Sequence, residues 1–127
     1  NKINLILKKS FEVIDELDKN INIDFAFVDG CHGKQCVVKD FNSLDKKTKS
    51  GSIIIFHDAS KADQGDNSDT CWECNPPGIR VFDALTKLGL FKNHEKWKFK
   101  KWLYGDKNPI PLTARGRGND AAVFVKI

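Results

Sequence analysis

Two short apolar runs, each ending abruptly in acidic and imidazole side chains, constrain this chain more than any other feature. Ile23, Asp24, Phe25, Ala26, Phe27 and Val28 lead into Asp29, Gly30, Cys31 and His32, while Ser52, Ile53, Ile54, Ile55 and Phe56 lead into His57, Asp58, Ala59 and Ser60. Runs rich in β-branched and aromatic residues, bounded by turn signals and separated by a helical pattern, read as neighbouring parallel strands of an α/β sheet. Ligands of such sheets sit beyond the carboxyl ends of the strands. Asp29, His32, His57 and Asp58 are therefore expected at the one edge where chemistry occurs.

The rest of the chain extends this alternation. Residues 3–7 read as a short strand, and Ser10 reads as the N-cap of a helix to about Lys19 with Phe11, Val13, Ile14 and Leu17 as its apolar stripe. A second helix over 34–47 places Cys36, Val37, Phe41 and Leu44 on or near one face, and Lys49, Ser50 and Gly51 turn the chain into the strand 52–56. A crossover between parallel strands is right-handed by strong prior. Residues 60–77 are dominated by Asp, Gln, Gly, Asn, Ser and Thr and read as a long polar loop beside the sheet edge. A helix from 78 or 79 to 88 follows, with Ile79, Phe82 and Leu85 inward and Gly89 ending it. Strands are expected at 97–103 and 121–125.

At 127 residues the chain makes one domain. No apolar run approaches the roughly 20 residues that span a bilayer, so a cytoplasmic protein without a membrane partner is expected. The net charge of +4 is concentrated in Lys92, Lys96, Lys98, Lys100, Lys101, Arg115 and Arg117, interleaved with Trp97, Phe99 and Trp102. Such a stretch can neutralise phosphate and stack on bases. The period-two alternation around Trp97 and Phe99 argues instead for a half-buried strand with a solvated face, and against a nucleic-acid partner. Nothing in the sequence specifies an oligomeric state.

The order strand, Asp-Gly-x-His, amphipathic helix, Ser-Gly, apolar strand, His-Asp-Ala resembles the C-terminal half of class I S-adenosylmethionine-dependent methyltransferases, in the small-molecule O-methyltransferase branch related to catechol methyltransferases. The resemblance is strongest from about Leu5 to Ala59. It implies a Rossmann-like three-layer sandwich, mainly parallel with a closing antiparallel strand, and methyl transfer to the hydroxyl of a small-molecule substrate. In metal-dependent members, an acidic residue ending one strand and a pair ending the next bind a divalent cation. Asp29 matches the first position, and His57 with Asp58 matches the pair. His57 stands where aspartate is common, and imidazole favours manganese, iron or zinc over magnesium. The same groups can instead cap strands and bond to backbone.

His32 falls where the resembled enzymes carry a lysine base, and a neutral imidazole can deprotonate a hydroxyl near pH 7. Its other reading is a loop-bonding or pocket-lining residue. Asp29 and Ser10 fall at cofactor-contacting positions, although helix capping explains Ser10 equally well. The resemblance also implies a glycine-rich turn holding the methionine part of S-adenosylmethionine. No glycine precedes Gly30, and Gly116-Arg117-Gly118 neither follows a strand nor opens a helix. The N-terminal strands of the fold are thus expected in a longer parent protein.

Four cysteines complete the inventory. Cys71 and Cys74 have metal-ligand or redox spacing, and Cys31 is expected at the same sheet edge, so Cys31, Cys71 and Cys74 form a second candidate metal site, with Cys36 or His32 as further ligands. The competing readings are reduced thiols, a Cys71–Cys74 disulfide, and Cys36 as a small apolar residue of the helix core. A second function class follows: a non-catalytic methyltransferase-like binding or structural module, zinc-stabilised through Cys71 and Cys74.

Overall fold

A computed structural model describes residues 3–61, 65, 74–75, 77–103 and 120–127. In chain order these form α1 (Ser10–Glu16), β1 (Ile23–Val28), α2 (Lys34–Lys47), β2 (Thr48–Phe56), α3 (Val81–Lys87), β3 (Trp97–Leu103) and β4 (Ala121–Lys126). The strands make one mixed sheet in the order β1-β2-β4-β3. β1 and β2 pair in parallel, while β4 runs antiparallel to both β2 and β3. The reversed strand therefore lies inside the sheet, between β2 and β3, and does not close its edge.

Residues 3–7 are not a strand. Ile3, Leu5 and Leu7 are almost fully exposed, and a strand obtains its ladder bonds only from a neighbour, which these residues lack among those described. The expected loop over 60–77 lies largely outside the described residues, as do Cys71, Arg115, Arg117 and the Gly116-Arg117-Gly118 segment.

Local chemistry explains the helix ends. Lys9, not Ser10, is the N-cap of α1, and no side chain caps it. Ser10 already belongs to the helix and donates its hydroxyl to Asp40 Oδ1 at 2.6 Å, tying α1 to α2. The helix stops short of Lys19 because Asp18 Oδ1 accepts the Asn20 N–H at 2.8 Å, an Asx turn that competes with continued helix. α3 ends where Gly89, at φ 75°, lets its N–H reach the Thr86 carbonyl while the Leu90 N–H reaches that of Leu85. This is the Schellman pattern, and buried Leu85 and Leu90 supply its apolar contact.

One face of the sheet carries the core. Ile54 and Phe56 of β2 and Ala122 and Phe124 of β4 pack with Val37, Phe41 and Leu44 of α2 and with Val81, Ala84 and Leu85 of α3. Period two sends Phe25 and Phe27 to the other face, where both are more than half exposed. The described residues therefore form two layers, not the expected three, since α1, α2 and α3 pack in series on the same side. β3 has the predicted alternation at its start, with Trp97 buried, Lys98 exposed and Phe99 half-buried, until a bulge between Phe99 and Lys101 shifts the register.

A polar knot fastens the C-terminal end of α2 to the sheet. Lys126 Nζ donates to the carbonyls of Asp45 (2.7 Å) and Thr48 (3.1 Å) and pairs with Asp45 Oδ1 at 2.9 Å. Trp97 Nε1 donates to the same carboxylate at 2.8 Å. A cation is favourable at this helix end, where carbonyls lack intrahelical partners. Burial alone would raise the Asp45 pKa, but the hydrogen bonds from Lys126 and Trp97 and the charges of Lys126 and Lys96 outweigh it and hold it below its ordinary value of 3.8. For Asp40, burial prevails over the bonds from Ser10 and the Phe11 backbone, and the pKa is raised.

These two carboxylates give opposite pH signatures. A lowered folded-state pKa adds stability above 3.8 that is lost as pH falls through the folded value. Asp45→Asn, which keeps an acceptor for Trp97, should therefore cost about 1 kcal/mol at pH 7, with the deficit closing in acid. A raised pKa penalises the ionised form, so the native state loses stability as pH rises from 3.8 through the folded value. Asp40→Asn should stabilise the protein at pH 7 and make little difference in acid. Urea unfolding of both variants from pH 3 to 7 measures these effects; a parallel pH response in the two would contradict the assignment.

Candidate active site

β1 and β2 end side by side. Val28 is paired with Phe56, and the His57 N–H donates to the Val28 carbonyl at 3.0 Å, carrying the parallel ladder one residue past β2. This last rung sets Asp29 and His57 beside one another. Asp58 follows with φ 50°, the only non-glycine residue with positive φ among those described. Asp tolerates the left-handed region better than most residues, and strain of this kind concentrates at functional sites. The next residue is anchored, because the Ala59 N–H donates to the Asp120 carbonyl at 2.9 Å.

His32 reaches the same place from the loop between β1 and α2. Its carbonyl accepts the Arg80 N–H at 2.9 Å, which ties that loop to the start of α3. Its Nε2 lies 3.4 Å from Asp29 Oδ1 and 3.3 Å from Asp58 Oδ2. His57 Nδ1 lies 3.1 Å from Asp29 Oδ1 and 3.2 Å from Asp58 Oδ1. Two carboxylates and two imidazoles thus alternate around a ring, with candidate ligand atoms all within 4.8 Å of one another. Their exposure is graded: side chains of Asp58 and His32 retain 7% and 11%, His57 26% and Asp29 47%. The deep side of the ring is therefore walled off, and Asp29 borders solvent.

The buried Nδ1 of His57 has no partner at hydrogen-bond geometry among the described residues, despite the two oxygens nearby. Donor atoms gathered this closely fit a common central cation. Two carboxylates supply two negative charges to match a divalent ion, and the imidazoles suit manganese, iron or zinc. Phe27 packs against the His57 ring at a centroid distance of 6.1 Å, on the sheet face away from the core.

The sequence-predicted residues Asp29, His32, His57 and Asp58 are brought together. Ser10 is not among them; its hydroxyl is engaged by Asp40. A second cluster gathers Cys31, Cys36 and Cys74, whereas Cys71 lies outside the described residues. Of the two readings of Cys36, a further ligand or a small apolar residue of the helix core, the geometry agrees with the first: its Sγ lies 3.4 Å from Cys74 Sγ at the start of that helix. The spacing from Cys31 across Gly33 to the first turn of a helix is the signal that could have placed it.

No helix among the described residues is long and apolar enough to cross a membrane. Comparison with curated proteins and with solved structures gave no match. Residues 1–59 match the family described as "Methyltransferase domain". The matched span contains α1, β1, α2, β2 and all four residues of the carboxylate–imidazole ring, so this part of the chain is similar to methyltransferase domains.

Proposed function

We propose that this chain belongs to an S-adenosylmethionine-dependent enzyme that methylates a hydroxyl of a small molecule with help from a divalent cation, in a cytoplasmic setting. The observation that carries the reading is the convergence of Asp29, His32, His57 and Asp58 at the adjoining ends of two parallel strands, within the span that matches methyltransferase domains. Asp29, His57 and Asp58 would hold the cation. Bound there, it supplies Lewis acidity that lowers the pKa of an acceptor hydroxyl.

The chain's own residues do the remaining work. Asp58, buried and fixed by its left-handed backbone, sets the inner wall of the ring. Asp29, near solvent, can face both metal and incoming substrate. His32 offers Nε2 toward the two carboxylates, and the proton of the acceptor hydroxyl would be taken there. One lone pair cannot ligate a metal and accept a proton together, so the base assignment requires Nε2 to stay outside the metal's coordination. The cofactor contacts of Asp29 and Ser10 belong to the same proposal, with Ser10 having to give up its bond to Asp40 to make one.

Asp29→Asn and Asp58→Asn should abolish metal-dependent turnover by the full-length enzyme. His32→Gln should lower the rate at least about a hundredfold, in the range of a lost general base, while leaving metal affinity nearly intact. Turnover across added magnesium and manganese, with metal affinity by calorimetry, tests both. Undiminished activity in chelator would remove the metal, and a loss of metal affinity in His32→Gln would make that residue a ligand.

Among the described residues, the loop that follows β1 and opens α2 has only Gly30 and Gly33 and lacks the Gly-x-Gly-x-x-Gly spacing. Isothermal titration of this chain with S-adenosylmethionine is expected to show weak binding or none. Tight stoichiometric binding would mean that the methionine moiety is held by a different part of the structure.

A further inference from the structure

We infer that Cys31, Cys36 and Cys74 form a zinc site that staples the segment returning before α3 onto the start of α2. The inference is independent of the proposed methyl transfer. Its first support is geometric. Cys74 Sγ lies 3.7 Å from Cys31 Sγ and 3.4 Å from Cys36 Sγ, and all three sulfurs fall within 4.8 Å of one another. Zinc–thiolate bonds of about 2.3 Å at tetrahedral angles put sulfurs about 3.8 Å apart. A disulfide needs about 2.05 Å, and one such bond could join only two of the three.

The second support is the way the backbone makes room. Gly33 is the N-cap of α2 and is buried. A Cβ there would lie 2.1 Å from Cys74 Sγ and 2.5 Å from Cys74 Cβ, with Cys31 Sγ at 3.4 Å. The glycine opens the space that lets Cys74 enter between Cys31 and Cys36. Two further bonds hold the same segments together: Gln35 Nε2 donates to the Asn75 carbonyl at 2.6 Å, and the Arg80 N–H donates to the His32 carbonyl at 2.9 Å.

Three soft thiolates select zinc over hard cations such as magnesium. Each cysteine must lose its proton to ligate, so binding releases protons and couples to folding. Cys31 immediately precedes His32, which would make this ion a brace for the loop that carries His32 into the carboxylate–imidazole ring.

The test uses the chain purified without a polyhistidine tag under reducing conditions. Elemental analysis should find about one tightly held zinc per chain. Replacement by cobalt(II) should give thiolate-to-cobalt charge-transfer absorption, which oxygen and imidazole ligands cannot produce. Cys36→Ser and Cys74→Ser should remove that absorption and weaken zinc binding more than about a hundredfold, beyond the usual effect of losing an outer-shell partner. The double variant Asp29→Asn/Asp58→Asn should retain the absorption, which separates this site from the carboxylate–imidazole ring. Should a cysteine variant fail to fold, cobalt titration of the parent chain still decides the matter. Reduced thiols with no charge-transfer absorption, zinc retained in both cysteine variants, or a disulfide between any two of the three cysteines would overturn the inference.

Discussion

The hydrogen bond from the His57 N–H to the Val28 carbonyl is the contact on which the functional edge depends. Parallel pairing from Phe25 against Ile53 to Val28 against Phe56 fixes where both strands stop. A shift of one residue would turn every side chain of β1 to the other face and separate Asp29 from His57. Register therefore decides whether the four side chains meet, and the sequence protects it at the opposite end of the pair. There the ladder is irregular between Ile23 and Phe25, and the buried Ser52 hydroxyl bridges the gap by donating to the Ile23 carbonyl at 2.8 Å and accepting the Lys49 N–H at 3.0 Å. Gly51, at φ 88°, absorbs the local bend.

The elements that hold the sheet and the elements that hold the site are distinct. Lys126, Asp45, Thr48 and Trp97 lock the far end of α2 to β3 and β4, where α2 presents its last carbonyls. The near end of the same helix starts at Gly33 and carries Cys36, between the sulfur cluster and the loop of His32. One helix thus spans the molecule from a purely structural knot to the candidate centre. Substitutions at the knot would loosen α2 from the sheet, whereas a side chain at Gly33 would collide with Cys74 beside the loop of His32.

Much of this was legible in the sequence because hydrophobic periodicity reports burial. The bounds of α2 emerge from the 3.6-residue spacing of Val37, Phe41 and Leu44, all buried in the structure. The carboxylate–imidazole edge emerges from the abrupt end of two apolar runs. What escaped was set by contacts distant in sequence or by local polar competition. Ser10 looks like a cap until Asp40, thirty residues away, takes its hydroxyl. The Asp18 side chain ends α1 early, and the apolar spacing of residues 3–7 promises a strand that finds no neighbour among the described residues. Cys36 shares a helical stripe with Val37, Phe41 and Leu44, so spacing alone leaves core and ligand roles open; it sits at the helix end, where the Gly33 backbone leaves space for a third sulfur.

Cys31 and His32 are adjacent in sequence but face different chemistry. Backbone geometry separates them: Cys31 joins two sulfurs, and His32 joins two carboxylates and an imidazole. Soft thiolates and a mixed set of oxygen and nitrogen donors prefer different ions, so ligand type can sort the metals where distance does not. The sorting runs chiefly one way. A thiolate set rejects magnesium and manganese, while imidazoles within the carboxylate ring still accept zinc. The pure oxygen shell of an all-carboxylate site would tip the balance toward magnesium; His57 in place of a carboxylate gives up part of that preference. In exchange, the ring holds two carboxylates rather than three, which lowers the repulsion that the fold must contain beside buried Asp58. In a metal-holding ring, the histidine at this position would therefore couple metal choice to the stability of the strand end that presents it.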